Sequence, residues 1–69
     1  MVVLKNRLRE FRNSIGINQG DMGQAVGVSR QTISLIERGD YAPSVTVALK
    51  ISAFFHVPLE EIFYLEEII

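Results

Sequence analysis

Apolar side chains recur along this chain at helical spacing, in blocks separated by glycine, proline and short polar residues. Leu4, Leu8, Phe11 and Ile15 follow the rhythm that lines one face of a helix, with Lys5, Arg7, Arg9 and Arg12 around them, and this first helix ends near Asn13 to Gly16. Asn18 is an N-cap, because its short side-chain oxygen can take an orphan backbone N–H, and Asp21 suits the positive end of the helix dipole. A second helix then spans Gln19 to Val26, with Met22 and Val26 inward, and Gly27 stops it in a left-handed conformation. Ser29 caps a third helix that runs to about Arg38 and closes at Gly39. After the turn "GDYAPS", Ser44 caps a longer fourth helix from Val45 to Phe55, and Pro58 precedes a short one around Leu59 to Phe63. The remaining "YLEEII" is too short to be a useful helix and is expected to be extended or docked.

A chain of 69 residues allows one domain. It buries only about 60% of the surface that its unfolded form exposes, so a partner subunit would help to stabilise it. There is no cysteine, which rules out a disulfide framework and fits a reducing compartment. No apolar run approaches a membrane span of about 20 residues, and "MVVLKNRLRE" puts its charges after its apolar residues, the reverse of a secretory signal. The expectation is a soluble, cytoplasmic protein without membrane contact. The net charge of −1 hides an asymmetry: residues 1–41 carry six Lys and Arg against four Asp and Glu, whereas residues 42–69 carry one against four. The front is mildly basic and the back acidic.

Two short helices joined through a glycine turn form the arrangement of a DNA-binding helix-turn-helix, here over about residues 19–38. Gly23 lets the helices cross closely, Gly27 supplies the turn, and Met22, Val26, Val28, Ile33 and Ile36 point into the joint. The block "GVSRQTIS.IERG.Y.PS...ALKI" closely resembles the phage-repressor or Xre-type helix-turn-helix family of bacterial and archaeal transcription regulators, and the likeness extends over roughly nine tenths of the chain. It implies an all-α fold, a compact five-helix lambda-repressor-like domain with the third helix in the DNA major groove. Gly20, Gly23, Leu35 and Phe54 depart from the residue types usual there.

A helix turns about 100° per residue, so Ser34, Arg38, Gln31 and Leu35 fall on one side of the third helix, flanked by Arg30, and Thr32, Ile33 and Ile36 on the other. Glutamine can pair bidentately with adenine, arginine with guanine, and an apolar group can touch a thymine methyl. Arg30, Gln31 and Ser34 are therefore the expected base readers, with Leu35 a weaker methyl contact. The resemblance places Ser29 near the groove as well. Phosphate contacts are expected from Gln19 at the dipole end of the second helix and from Thr32, Arg38, Tyr41 and Ser44. The resemblance also implies an ion pair between Arg12 and Glu37; the alternative is two solvated charges worth almost nothing.

One such helix manages about three base contacts at about 1–3 kcal/mol each, against the roughly 4–10 kcal/mol that separate specific from non-specific sites. Two copies on a palindromic operator would double the reading surface. The fourth helix is apolar almost all round, which with Phe54, Tyr64, Leu65, Ile68 and Ile69 suggests a homodimer surface. The tail either folds over its own core or runs as a short strand beside "MVV" at the other chain end. His56 is the only histidine and the glutamate pairs are adjacent in sequence, so no enzyme activity, metal, cofactor or small-molecule ligand is expected. The reading is a repressor of double-stranded DNA targets, since a chain this size has little room for an effector domain. The rival is a protein-interaction module of the same fold, antitoxin-like or coactivator-like.

Overall fold

In the computed structural model, which describes all residues from Met1 to Ile69, the order of elements is β1 (Val2–Asn6), α1 (Leu8–Ser14), α2 (Gln19–Val26), α3 (Arg30–Glu37), α4 (Val45–Phe55), α5 (Leu59–Ile62) and β2 (Phe63–Glu67). Three helices begin where a short side chain takes an orphan N–H. Asn18 Oδ1 accepts from the Asp21 amide at 2.7 Å, Ser29 Oγ from Thr32 at 3.1 Å and Ser44 Oγ from Val47 at 3.1 Å. Their ends are equally local in origin: Gly27 (φ 82°) closes α2, and Gly39 (φ 80°) follows α3. His56 closes α4 in the same left-handed region (φ 56°), while Ser52 Oγ donates to the Val57 carbonyl at 2.6 Å to fix the exit.

The all-α expectation is corrected at the chain ends, where the alternative of a short strand beside "MVV" is the one observed. β1 and β2 pair antiparallel, with Val2 opposite Glu67, Leu4 opposite Leu65 and Asn6 opposite Phe63. The spacing of Leu4, Leu8 and Phe11 imitates a helix, but Val2 and Val3 are β-branched and the partner strand supplies aromatic Phe63 and Tyr64, so pairing wins over helix extension. Asn6 marks the boundary: its Oδ1 accepts from the Leu8 amide at 3.1 Å and so starts α1 after the strand. Ile15, expected on the inner face, is 53% exposed, because α1 stops at Ser14 and a turn through Gly16 (φ 74°) brings Ile17 to the core instead.

One core joins all the helices and the start of β2. Leu8, Met22, Val26, Ile33, Ile36, Ala48, Ile51, Ile62 and Phe63 are buried, with Phe11, Ile17, Val28, Val47, Phe55, Val57 and Leu59 packed around them. Each fully buried large aliphatic side chain contributes about 1.5–3 kcal/mol. The rings of Phe11 and Phe55 meet at 5.4 Å and tie α1 to the end of α4. The turn between α2 and α3 folds back onto Gly23: a Cβ there would stand 2.5 Å from the Val28 carbonyl oxygen and 3.1 Å from the Ser29 backbone. No helix is long and apolar enough to cross a membrane.

Candidate nucleic-acid interface

α3 divides its side chains cleanly. Ile33 and Ile36 are buried, whereas Arg30, Gln31 and Arg38 are exposed and Ser34 and Leu35 half-exposed. Gln31, Ser34, Leu35 and Arg38 line one shallow depression on the outer face, so the amide, hydroxyl, isobutyl and guanidinium groups are brought together. Arg30 stands at the first turn beside the start of α2, its Cδ 3.9 Å from where a Gly20 Cβ would lie. Ser29 Oγ accepts the Thr32 N–H at 3.1 Å and shares a second hydrogen bond with Thr32 Oγ1 at 3.0 Å. Two hydroxyls sharing one such bond keep one O–H free for an outside acceptor.

The residues expected at phosphates are placed less uniformly. Arg38 Nε lies 3.5 Å from Asp40 Oδ2, but both side chains are more than half exposed, and such a pair is worth little in water. Tyr41 is 51% exposed, and Ser44 spends an acceptor site on its cap while keeping its hydroxyl proton. The Gln19 amide is turned inward, donating from Nε2 to Glu37 Oε1 at 3.1 Å. What α2 presents outward at its start is backbone: the cap takes the Asp21 amide and leaves the N–H groups of Gln19 and Gly20 at the positive end of the helix.

Glu37 is the hub behind this surface. Its side chain has no solvent exposure, and Arg12, 12% exposed, grips it with two nitrogens, Nε to Oε2 at 2.7 Å and Nη2 to Oε1 at 3.2 Å. Arg9 Nε approaches Oε1 at 3.4 Å from the solvent side, and Arg12 Nη1 donates to the Ile17 carbonyl at 3.0 Å. Burial alone pushes the Glu37 carboxyl up; hydrogen bonds from Arg12, Gln19 and Arg9 and the charge of Arg12 outweigh it and hold the group below the usual carboxylate range. Arg12 is raised, first by its hydrogen bond to Glu37, against a smaller opposing effect of burial. One carboxylate thus ties α1, the start of α2 and the end of α3 together.

Sequence reasoning missed Asn6, whose Nδ2 donates to the Ile36 carbonyl at 2.8 Å and braces the end of α3 against β1. The available signal was an asparagine just before an apolar periodic run, the mark of a helix start. It also missed Arg9 and the inward turn of Gln19, for which residue types offer no cue. The residues expected at a dimer surface lie on α4 and on β2 with its tail. Phe54 is 37% exposed with its ring edge-on to Phe55, and Leu65, Ile68 and Ile69 are exposed. Tyr64 is half-buried with the Arg7 guanidinium 4.2 Å over its ring, and strand alternation puts it on the opposite face from Leu65. No group of three or more His, Cys, Asp or Glu side chains gathers where it could hold a metal ion.

Comparison with known proteins agrees with this geometry. The helix-turn-helix family profile matches residues 8–62. "Uncharacterized HTH-type transcriptional regulator YgzD" of Bacillus subtilis is 47% identical over 64 residues, 93% of this chain and 97% of that protein. A similarly described regulator of Methanocaldococcus jannaschii is 45% identical over the same shares. Among solved structures, the P22 c2 repressor in complex with a synthetic operator superposes with a TM-score of 0.75 at 31% identity, over 78% of this chain and 82% of that one. The restriction-modification controller protein C.AhdI of Aeromonas hydrophila gives 0.71 at 28% identity, over 78% of each. The chain therefore belongs to the phage-repressor, Xre-type family of helix-turn-helix transcriptional regulators.

Proposed function

We propose that this protein is a sequence-specific repressor that reads double-stranded DNA in the major groove with α3, as a homodimer on a palindromic operator. The observation that carries the reading is the division of α3: its apolar residues are buried, its C-terminal glutamate is anchored, and its outward polar groups have no competing partner in the core. Arg30, Gln31 and Ser34 read base edges, Leu35 touches a thymine methyl, and Ser29 stands at the groove edge. Thr32, Arg38, Tyr41 and Ser44 bind phosphates, and Gln19 does so through its backbone N–H at the start of α2. The likeness to a repressor with its operator supports repression.

Dimerisation supplies the second half-site. Val45, Leu49 and Phe54 on α4, with Leu65, Ile68 and Ile69 of the tail, leave apolar surface exposed on a chain too small to discard its burial. Sedimentation at micromolar concentration is expected to give a dimer, and a monomer there overturns that part of the proposal.

Selection of bound fragments from random DNA should return two inverted half-sites about 34 Å apart. Affinity for them should fall with rising salt at a slope of about −0.9 per neutralised phosphate on a logarithmic plot. Failure to bind any DNA at low salt refutes the proposal and favours a protein-interaction module of the same fold.

A further inference from the structure

Arg30 occupies an electrostatically one-sided place. It is exposed, it forms none of the ion pairs of the chain, and it begins α3, whose first turn holds no acidic residue. A cation at the start of its own helix dipole is disfavoured. Its stem leads it toward a second positive end: the Cδ lies 3.9 Å from the position a Cβ would take on Gly20, in the first turn of α2. The Arg30 stem thus runs past the first turn of a second helix, and its guanidinium forms no ion pair within the chain. Position 20 faces this stem. A side chain there would run beside the Arg30 stem, and a carboxylate would suit both the α2 dipole and the guanidinium. Gly20 is not kept by a left-handed backbone, since its φ is not positive; the nearest atom to an added Cβ is Asn18 Oδ1 at 3.3 Å, the cap acceptor of the Asp21 amide, which would have to shift by a few tenths of an ångström.

We infer that Gly20 is a specificity-determining position: by contributing no side chain it leaves Arg30 without an ion pair inside the chain, so that no carboxylate competes with an acceptor on DNA for the guanidinium. The inference rests on the DNA-reading proposal above and adds a positioning residue on α2, outside the reading helix. Arg30 is the group that touches DNA, and Gly20 acts through it.

The test uses the selected operator and a panel of single base-pair variants, measured at fixed salt with the full chain. The readout is the ratio of affinities for two DNAs, which cancels any uniform repulsion between an added carboxylate and phosphates. Arg30→Ala identifies the base pair whose preference it relaxes. Gly20→Glu is expected to lower the preference at that same base pair by about tenfold or more, whereas Gly20→Gln, of equal size and no charge, retains it. In the Arg30→Ala background Gly20→Glu should change the ratio by less than about twofold, the signature of coupled residues. Thermal melts check each fold, and Gly20→Asp, a good residue for a first helical turn, repeats the test should the glutamate variant melt early. Unchanged preference in Gly20→Glu, or equal losses with and without Arg30, overturns the inference while leaving DNA reading intact. Absence of DNA binding by the unmodified chain removes the DNA-reading proposal and the inference together.

Discussion

Removal of the Arg12 side chain takes the closest cation from a carboxylate that the intact domain shields from solvent. The Glu37 side chain has no solvent exposure and receives its two shortest contacts with a cation from Arg12, at 2.7 and 3.2 Å. Arg12→Ala leaves it the neutral Gln19 amide at 3.1 Å and the Arg9 contact at 3.4 Å, from a side chain 59% exposed. An exposed partner of that kind contributes less than about 1 kcal/mol. Breaking one side of a buried pair costs about 3–5 kcal/mol, and a domain of this length has a total stability of roughly 3–10 kcal/mol. The variant should therefore lose a third or more of its stability and melt at least about 12 °C lower. Urea unfolding followed by circular dichroism, at one protein concentration to hold any dimerisation constant, measures it. Arg9→Ala is the control, expected to lose less than about 1 kcal/mol, and joint replacement by Arg12→Met with Glu37→Leu should recover most of the loss. The pH dependence has a definite sign. Because the folded-state Glu37 lies below its unfolded value, its contribution is fully present above about pH 4.3 and disappears as pH falls through the lower folded-state value. A loss below about 1 kcal/mol for Arg12→Ala refutes the buried-hub account.

Three further substitutions follow from single contacts. Gly23→Ala would place a methyl 2.5 Å from the Val28 carbonyl oxygen, a backbone atom that cannot swing aside, and should destabilise by about 1–3 kcal/mol in the same urea assay; an unchanged midpoint would show that α2 and α3 separate easily. Asn6→Ala removes the bond to the Ile36 carbonyl and the cap of the Leu8 amide and should cost about 1–3 kcal/mol, whereas a neutral outcome means that water replaces both. His56→Gly relieves a left-handed backbone at the end of α4 and should raise stability by up to about 1 kcal/mol, and a lower melting temperature contradicts that reading.

The helix-turn-helix was legible because its signals are local. Asn18, Ser29 and Ser44 each cap the helix that follows, and Gly27 and Gly39 stop the helices before them, all through contacts within a few residues. The inward faces of α2 and α3 followed from periodicity, since Met22, Val26, Ile33 and Ile36 meet nothing but core. Leu4 misled for the opposite reason. Its spacing to Leu8 is helical, but its partner, Leu65, lies at the far end of the chain, and the β-branched and aromatic residues at the two ends offered that pairing only as one alternative for the tail. Gln19 illustrates a second limit. Its position at a helix start pointed to an anion, and the anion its amide meets is Glu37, a group that residue type alone marks as a surface charge.

The strand pair has a kinetic consequence. Contacts such as that between the Met1 amino group and Glu67 join residues 66 positions apart. Closing a loop of that length costs roughly 3–4 kcal/mol in chain entropy, more than an isolated two-stranded ribbon returns. The ribbon can form only once the helices between the strands have already shortened the path between the ends. Loop-closure entropy therefore predicts that the helices pack before the strand pair forms, so that substitutions in β1 or β2 should change the unfolding rate more than the folding rate. Asn6, which joins β1 to the Ile36 carbonyl near the end of α3, makes that step bear on the rigidity of α3.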